Sequence, residues 1–168
     1  MERHFSAKRA PKSKRYEIGV ISDTHGLLRP EVLSVFKGVS LILHAGDIGD
    51  AEVLDRLHKI APVVAVRGNN DKGTWSKSIP ECKLIRQGPV FIYMLHNVNE
   101  LKTKPPTGQV QVVVSGHSHR PSIQERDGVL FVNPGSAGPR RFKLPISVAR
   151  LVIHGSVVHA ELTELEIQ

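Results

Sequence analysis

A chain of 168 residues, 40% of them hydrophobic, is long enough for one domain with an ordinary core, which excludes a wholly disordered or fibrous protein. Its formal charge of +7 is uneven: Arg3, Lys8, Arg9, Lys12, Lys14 and Arg15 against Glu2 give +5 in residues 1–15, leaving +2 for residues 16–168. A short arm of Lys, Arg, Ser and Pro reads as a solvated, disordered tail, and the near-neutral body that follows argues against nucleic acid as the partner.

In chain order, Tyr16–Ser22 reads as an apolar strand that stops at Asp23-Thr24-His25-Gly26. Pro30 suits the first turn of a helix running through Val32, Leu33 and Phe36. Val39–Leu43 is a second strand, ending at His44-Ala45-Gly46-Asp47. Asp50 is placed to cap a second helix whose Val53, Leu54, Leu57 and Ile60 share one face. Val63–Val66 follows as a third strand, giving a βαβαβ pattern with buried parallel strands. Lys83–Arg86 and Val90–Leu95 then pair across Gln87-Gly88-Pro89, and Val110–Ser115 runs into Gly116-His117-Ser118-His119. Ile123–Arg126 and Val129–Val132 flank Asp127-Gly128, a strong hairpin turn, and Ser147–Ile153 and Val157–Leu165 close the chain around His154-Gly155-Ser156. Residues 97–109, with Pro105-Pro106, show no period and read as loop. Residues 16–168 are thus expected to form a single α/β domain with two sheets and flanking helices.

The single Cys82 excludes an intramolecular disulfide framework. No apolar run approaches the roughly 18 residues that span a bilayer, and no apolar stretch follows the N-terminal charges as a secretory signal requires. The expectation is a cytoplasmic protein without a membrane partner.

Five of the strands end in residues that make good metal ligands: Asp23 and His25, Asp47, Asn69, His96, and His117 with His119. Singly these pieces are weak, since Asp, Asn and His are common at turns. Ligand sites in α/β sheets gather beyond the carboxyl ends of strands, so one layered fold can bring all of them to a single rim. Two carboxylates, one amide, four imidazoles and no thiolate suit Mn²⁺, Fe²⁺, Ni²⁺ or Zn²⁺ and argue against a closed structural zinc site. So many donors exceed one ion and match two sharing a bridging carboxylate. Two carboxylates leave such a pair net positive, which favours an anionic phosphate ester.

The segments SDTHG at 22–26, HAGD at 44–47, RGNND at 67–71, GHSH at 116–119 and NPGS at 133–136 resemble the calcineurin-like metallophosphoesterases. The match is nearest to their small single-domain phosphodiesterases and spans about residues 16–165. The resemblance implies a four-layer αββα sandwich of two mixed sheets and a dinuclear site, often loaded with Mn²⁺. Asp23, His25 and His119 would then bind one ion, Asn69, His96 and His117 the other, with Asp47 bridging and a metal-bridging hydroxide attacking phosphorus. Gly135 and Ser136 would shape a loop near the site, Asp71 would orient Asn70 or a nearby water, and Arg140 or Arg141 would reach the substrate phosphate. His4, His44, His58, His154 and His159 fit no ligand pattern. The substrate implied is a small phosphodiester, and a homo-oligomer is implied by analogy with small members of this branch. The family also contains scaffold modules, such as the small retromer subunit, and nucleases, which stand as alternatives.

Two departures from the family pattern stand out. Asn70 replaces a His that elsewhere assists the leaving group, and an amide cannot act as a general acid near neutral pH. Asn97 replaces the Gly that usually follows the ligand His, placing a β-carbon where the backbone passes close to the metal.

Overall fold

Successive side chains of a strand point to opposite faces, so a strand apolar on both faces has to be covered twice. Strand β1 (Arg15–Ile21) is such a strand: Ile18 and Val20 enter one core and Ile21 a second. The same alternation recurs in β2 (Leu41–His44), where Leu43 and Ile42 divide between the two cores, and in β9 (Ser147–His154), where Leu151 and Val148 do so. The computed structural model describes residues 12–101 and 109–168; the expected tail and loop therefore lie partly outside the described residues, as does His4.

Two five-stranded mixed sheets stack face to face. The first has the order β10–β9–β1–β2–β3, with β3 at Val63–Ala65 and β10 at Val157–Glu164. The second, in the order β4–β5–β6–β8–β7, comprises β4 (Cys82–Gln87), β5 (Val90–Leu95), β6 (Val110–Val114), β7 (Ser122–Arg126) and β8 (Val129–Asn133). Strands β1, β2 and β3 run parallel, as do β5, β6 and β8; antiparallel β9 borders the first trio at β1, and antiparallel β4 and β7 border the second on both sides. The main core, built from Ile18, Val20, Leu43, Val90, Ile92, Met94, Val112, Val114 and Leu151 among others, lies between the sheets.

Helices α1 (Pro30–Val35) and α2 (Ala51–His58) cover the outer face of the first sheet through Val32, Val53 and Leu57. Among the described residues the outer face of the second sheet carries Leu95, Val110 and Val113, with Leu101 packed against them just after a 3₁₀ turn at Val98–Glu100. The result is the expected layered sandwich with one thin outer layer. Gln111 is an extra residue opposite the Phe91–Ile92 step, and its side-chain Oε1 accepts the Phe91 N–H at 2.8 Å. That bulge rephases β6, so Val110 points outward while Val112 and Val114 point into the main core. The Asp127-Gly128 hairpin forms as the sequence predicts, both residues having positive φ.

Asp50 caps α2, its Oδ1 accepting the Glu52 N–H at 2.8 Å. Asp50→Ala should lower stability by about 1 kcal/mol, read as a shift in the urea midpoint at unchanged slope, whereas Asp50→Asn should be nearly neutral.

Candidate metal centre

Parallel strands place their carboxyl ends on one side, and five of them hand over to loops that meet at a common rim. Asp23 and His25 follow β1, Asp47 follows β2, Asn69 follows β3, His96 follows β5, and His117 and His119 follow β6. The loops are laced together: Asp23 N donates to Gly46 O at 3.0 Å, His25 N to Asp47 O at 3.0 Å, and Gly116 N to His96 O at 2.9 Å.

At the focus lies the fully buried Asp23. Its Oδ2 accepts from Ser22 Oγ at 2.7 Å and from the His117 N–H at 3.1 Å. Its Oδ1 has no hydrogen-bond donor, yet stands 3.2 Å from His119 Nε2 and 3.9 Å from Nε2 of both His25 and His96. Asp47 Oδ2 lies 3.4 Å from His96 Nε2 and 3.8 Å from His25 Nε2. Two overlapping groups result, Asp23–His25–His119 and Asp23–Asp47–His96, the donor atoms within each lying within 4.8 Å of one another. His117 adjoins the second, its ring 5.2 Å from that of His96 and its Nδ1 3.2 Å from Asn69 Oδ1. All seven candidate ligands of the sequence are therefore brought together. Beside Asn69, His96 and His117 a cavity of about 250 Å³ opens, with Arg67 and Asn97 on its wall.

Buried polar atoms almost always find partners. Here Asp23 Oδ1, His25 Nε2, His96 Nε2 and His119 Nδ1 are buried without one. Oxygen and imidazole lone pairs converging in this way fit a divalent cation. His96 Nδ1 lies 2.7 Å from the Ala45 carbonyl, which can only accept, so Nδ1 carries the proton and the bare Nε2 faces the carboxylates. Asn97 carries no backbone strain. Its φ of −115° is ordinary extended backbone, and its side chain caps the following turn by accepting the Asn99 N–H at 3.1 Å.

The electrostatics agree with that fit. Burial opposes ionisation of Asp47, but His96 and two donors from Asn70 outweigh it and hold the carboxyl well below the ordinary range. Those donors are Asn70 N to Oδ1 and Asn70 Nδ2 to Oδ2, each at 2.9 Å. Burial pulls His96 down, yet Asp47, the Ala45 carbonyl and Asp23 together push it up. The carboxylates thus draw positive charge to this point. His25 shifts down, chiefly through burial; Asp47 and Asp23 oppose the shift and Arg141 adds to it.

The backbone is strained in the same place. Asp23, His25, Asp47, His117 and His119 have φ of 55°, 47°, 51°, 69° and 59°. Left-handed conformations of non-glycine residues cost of order 1–3 kcal/mol each and gather at functional sites. Gly68 is required for a related reason: a β-carbon there would lie 2.1 Å from Asp47 Oδ1.

Several supporting residues secure the ligand loops, Asp71 through contacts that its sequence context did not reveal. Asp71 is buried and braces two loops, its oxygens accepting from Gly49 N at 2.9 Å and Gly68 N at 2.8 Å. Asn133 Nδ2 donates to Gly116 O at 2.9 Å, and Ser136 Oγ donates to Asp23 O at 3.0 Å, so the NPGS segment secures two ligand loops. Its position after β8, a strand parallel to β6, was the available signal. Arg140 turns back on its own loop, Nη1 donating to Leu144 O at 3.4 Å, and of the two arginines it is Arg141 whose charge acts on His25.

Comparison with known proteins agrees with this geometry. Residues 16–156 match the calcineurin-like phosphoesterase superfamily domain. A probable metallophosphoesterase of Methanothermobacter thermautotrophicus is 36% identical over 159 residues, covering 86% of this chain and 90% of the relative. A phosphodiesterase of Methanocaldococcus jannaschii is 30% identical over 138 residues, covering 71% of this chain and 82% of the relative. Among solved structures, vacuolar protein sorting 29 from Cryptosporidium parvum superimposes with a TM-score of 0.72 at 19% identity, over 91% of this chain and 99% of that one. The chain belongs to the calcineurin-like phosphoesterase superfamily.

His44, which fits no ligand pattern in the sequence, is fully buried behind the centre. Its Nδ1 accepts the Gly46 N–H at 3.2 Å, so its Nε2–H donates to Thr24 Oγ1 at 2.9 Å, and Thr24 donates on to Ile48 O at 2.8 Å. Burial pushes its pKa from 6.5 down to about 4. The unfolded chain takes up this proton first, so stability should rise with pH across that window and be lost as pH falls from about 6.5 toward 4, by up to roughly 3 kcal/mol. Urea midpoints measured against pH should fall more steeply for the native chain than for His44→Gln. Parallel profiles would show that His44 ionises freely in the fold.

Proposed function

We propose that this chain is a two-metal phosphodiesterase acting on small diesters, with residues 16–168 as its single catalytic domain. The observation that carries this reading is the unpartnered Asp23 Oδ1 facing Nε2 of His25, His96 and His119 beside Asp47. Asp23, His25 and His119 would hold one ion and Asn69, His96 and His117 the other, with Asp47 shared between them. Mn²⁺ is the first candidate, with Fe²⁺, Ni²⁺ and Zn²⁺ as alternatives. When bound, such a pair supplies acidified water and neutralises charge on the attacking and leaving oxygens of an in-line displacement.

The chain's own residues supply the rest. Asn70 holds Asp47 by backbone and side chain together, and its amide has no proton to give to a leaving group. Esters whose leaving group departs as a stable anion are therefore favoured. Arg141 provides a phosphate anchor at the rim, and the cavity beside His96 and His117 accommodates one ester arm. A pure scaffold has no use for this set of unpartnered donors.

Protein stripped of metal should regain hydrolysis of bis(p-nitrophenyl) phosphate with Mn²⁺, and Asp47→Ala should lose at least about a hundredfold. Mn²⁺ should raise the melting temperature of the native chain but not of Asp23→Asn, since only a bound ion stabilises the fold. No turnover and no thermal shift with any of the four metals would sink the reading. Asn70→His should improve alkyl over aryl diester turnover by about tenfold or more by restoring a proton donor; an unchanged ratio would exclude a leaving-group role at this position.

A further inference from the structure

Among the described residues, seven non-glycine residues have left-handed φ. Five belong to the metal cluster, and Asp127 turns the β7–β8 hairpin. The remaining one is Phe142, with a φ of 55° and 92% of its surface exposed. An aromatic ring held in water on strained backbone contributes nothing to the core, and strain of this kind points to a function at the residue that bears it.

The loop that carries Phe142 is fastened to the metal centre at its root. Besides the Ser136 bond to Asp23 O, Ala137 N donates to Ser22 O at 3.1 Å, and Arg29 Nε and Nη2 both donate to Gly138 O, at 3.2 and 3.1 Å. Gly138 lies so close to the Asp23 loop that a β-carbon there would fall 2.4 Å from Thr24 O. At the tip, Leu144 N donates to Arg141 O at 3.2 Å and Arg140 folds back onto Leu144, closing a turn that presents Phe142.

A single aromatic ring among Arg140, Arg141 and Lys143 is a poor apolar docking face, which needs contiguous area. It suits a ligand that is planar and anionic at once. Nucleobases stack on aromatic side chains whatever their identity, and a guanidinium pairs with two phosphate oxygens. A platform fixed in advance by the backbone also loses little entropy on binding.

We propose that Phe142 is a stacking platform that selects phosphodiesters carrying a nucleobase or a comparable planar arm. This rests on the phosphodiesterase function proposed above. The test compares thymidine 5′-monophosphate with 2-deoxyribose 5-phosphate, identical but for the base, as inhibitors of bis(p-nitrophenyl) phosphate hydrolysis by the metal-loaded full chain. The nucleotide should bind about tenfold or more tightly than the sugar phosphate. That ratio should collapse toward one in Phe142→Ala and persist in Phe142→Tyr. A ratio that survives Phe142→Ala overturns the proposal and leaves the phosphodiesterase standing. So does an unchanged ratio with Phe142→Ala converting a sedimenting dimer to monomer, since the ring would then be an interface between copies. Should no diester be hydrolysed, the catalytic reading fails. The platform is then judged separately, by saturable quenching of Phe142→Trp fluorescence by thymidine 5′-monophosphate and not by the sugar phosphate, with the native chain as baseline for Trp75.

Discussion

Two carboxylates buried side by side are costly unless positive charge answers them, and much of this fold is organised around Asp23 and Asp47. The protein meets part of that demand with hydrogen-bond donors: Ser22 and the His117 N–H on Asp23, and Asn70 twice on Asp47. These donors leave Asp23 Oδ1 bare, facing Nε2 of His25 and His96, which are themselves without a partner, and Nε2 of His119. Hydrogen bonds alone therefore do not complete the cluster. The upward push on His96 has the same origin, because a proton on that ring and a cation beside it answer the same negative charge.

Holding such a cluster requires backbone conformations that no regular element supplies. Parallel strands bring the loops to one rim, but the residues following β1, β2 and β6 must still turn sharply to aim their side chains inward, which accounts for the left-handed ligands. The strain persists because each loop is fixed by several others. Asp71 joins the loops after β2 and β3, Asn133 and Ser136 secure those after β6 and β1, and His44 props the turn before Asp47 from behind. Two apolar cores beneath make the rim rigid enough to hold these conformations.

The parts of this design legible in the sequence were those with a period or a local signature. Alternating apolar runs gave the strands, Asp50 and Pro30 the helix starts, and Asp127-Gly128 the hairpin. The candidate ligands could be read because each follows a strand whose direction is implied by its neighbours. The braces could not. Asp71 looked like a companion of Asn70, although both its oxygens serve backbone amides of neighbouring loops. His44 gave no sign of burial, since its partner Thr24 lies in another loop and meets it only because β1 and β2 pair. At Asn97 the departure from glycine brings no backbone strain, because its extended conformation is open to any residue. The bulge at Gln111 is likewise a matter of register between strands, and register leaves little trace in one strand alone.

The same sandwich is found at 19% identity in vacuolar protein sorting 29, so the stacked sheets by themselves carry no particular chemistry. What a member of this fold can do is decided at the carboxyl ends of its parallel strands and on the rim around them. In this chain the inner ring holds carboxylates, imidazoles and an amide in close array, and the residues that differ in character lie just outside it. Asn70 sets an amide beside Asp47, while Phe142 stands exposed on a loop whose root bonds the Asp23 segment. Under the proposed function the inner ring would set the type of bond that is broken. Under that same function the outer residues would act on the arms of the ester, so selection among substrates could change there without disturbing the strained loops that hold the centre together.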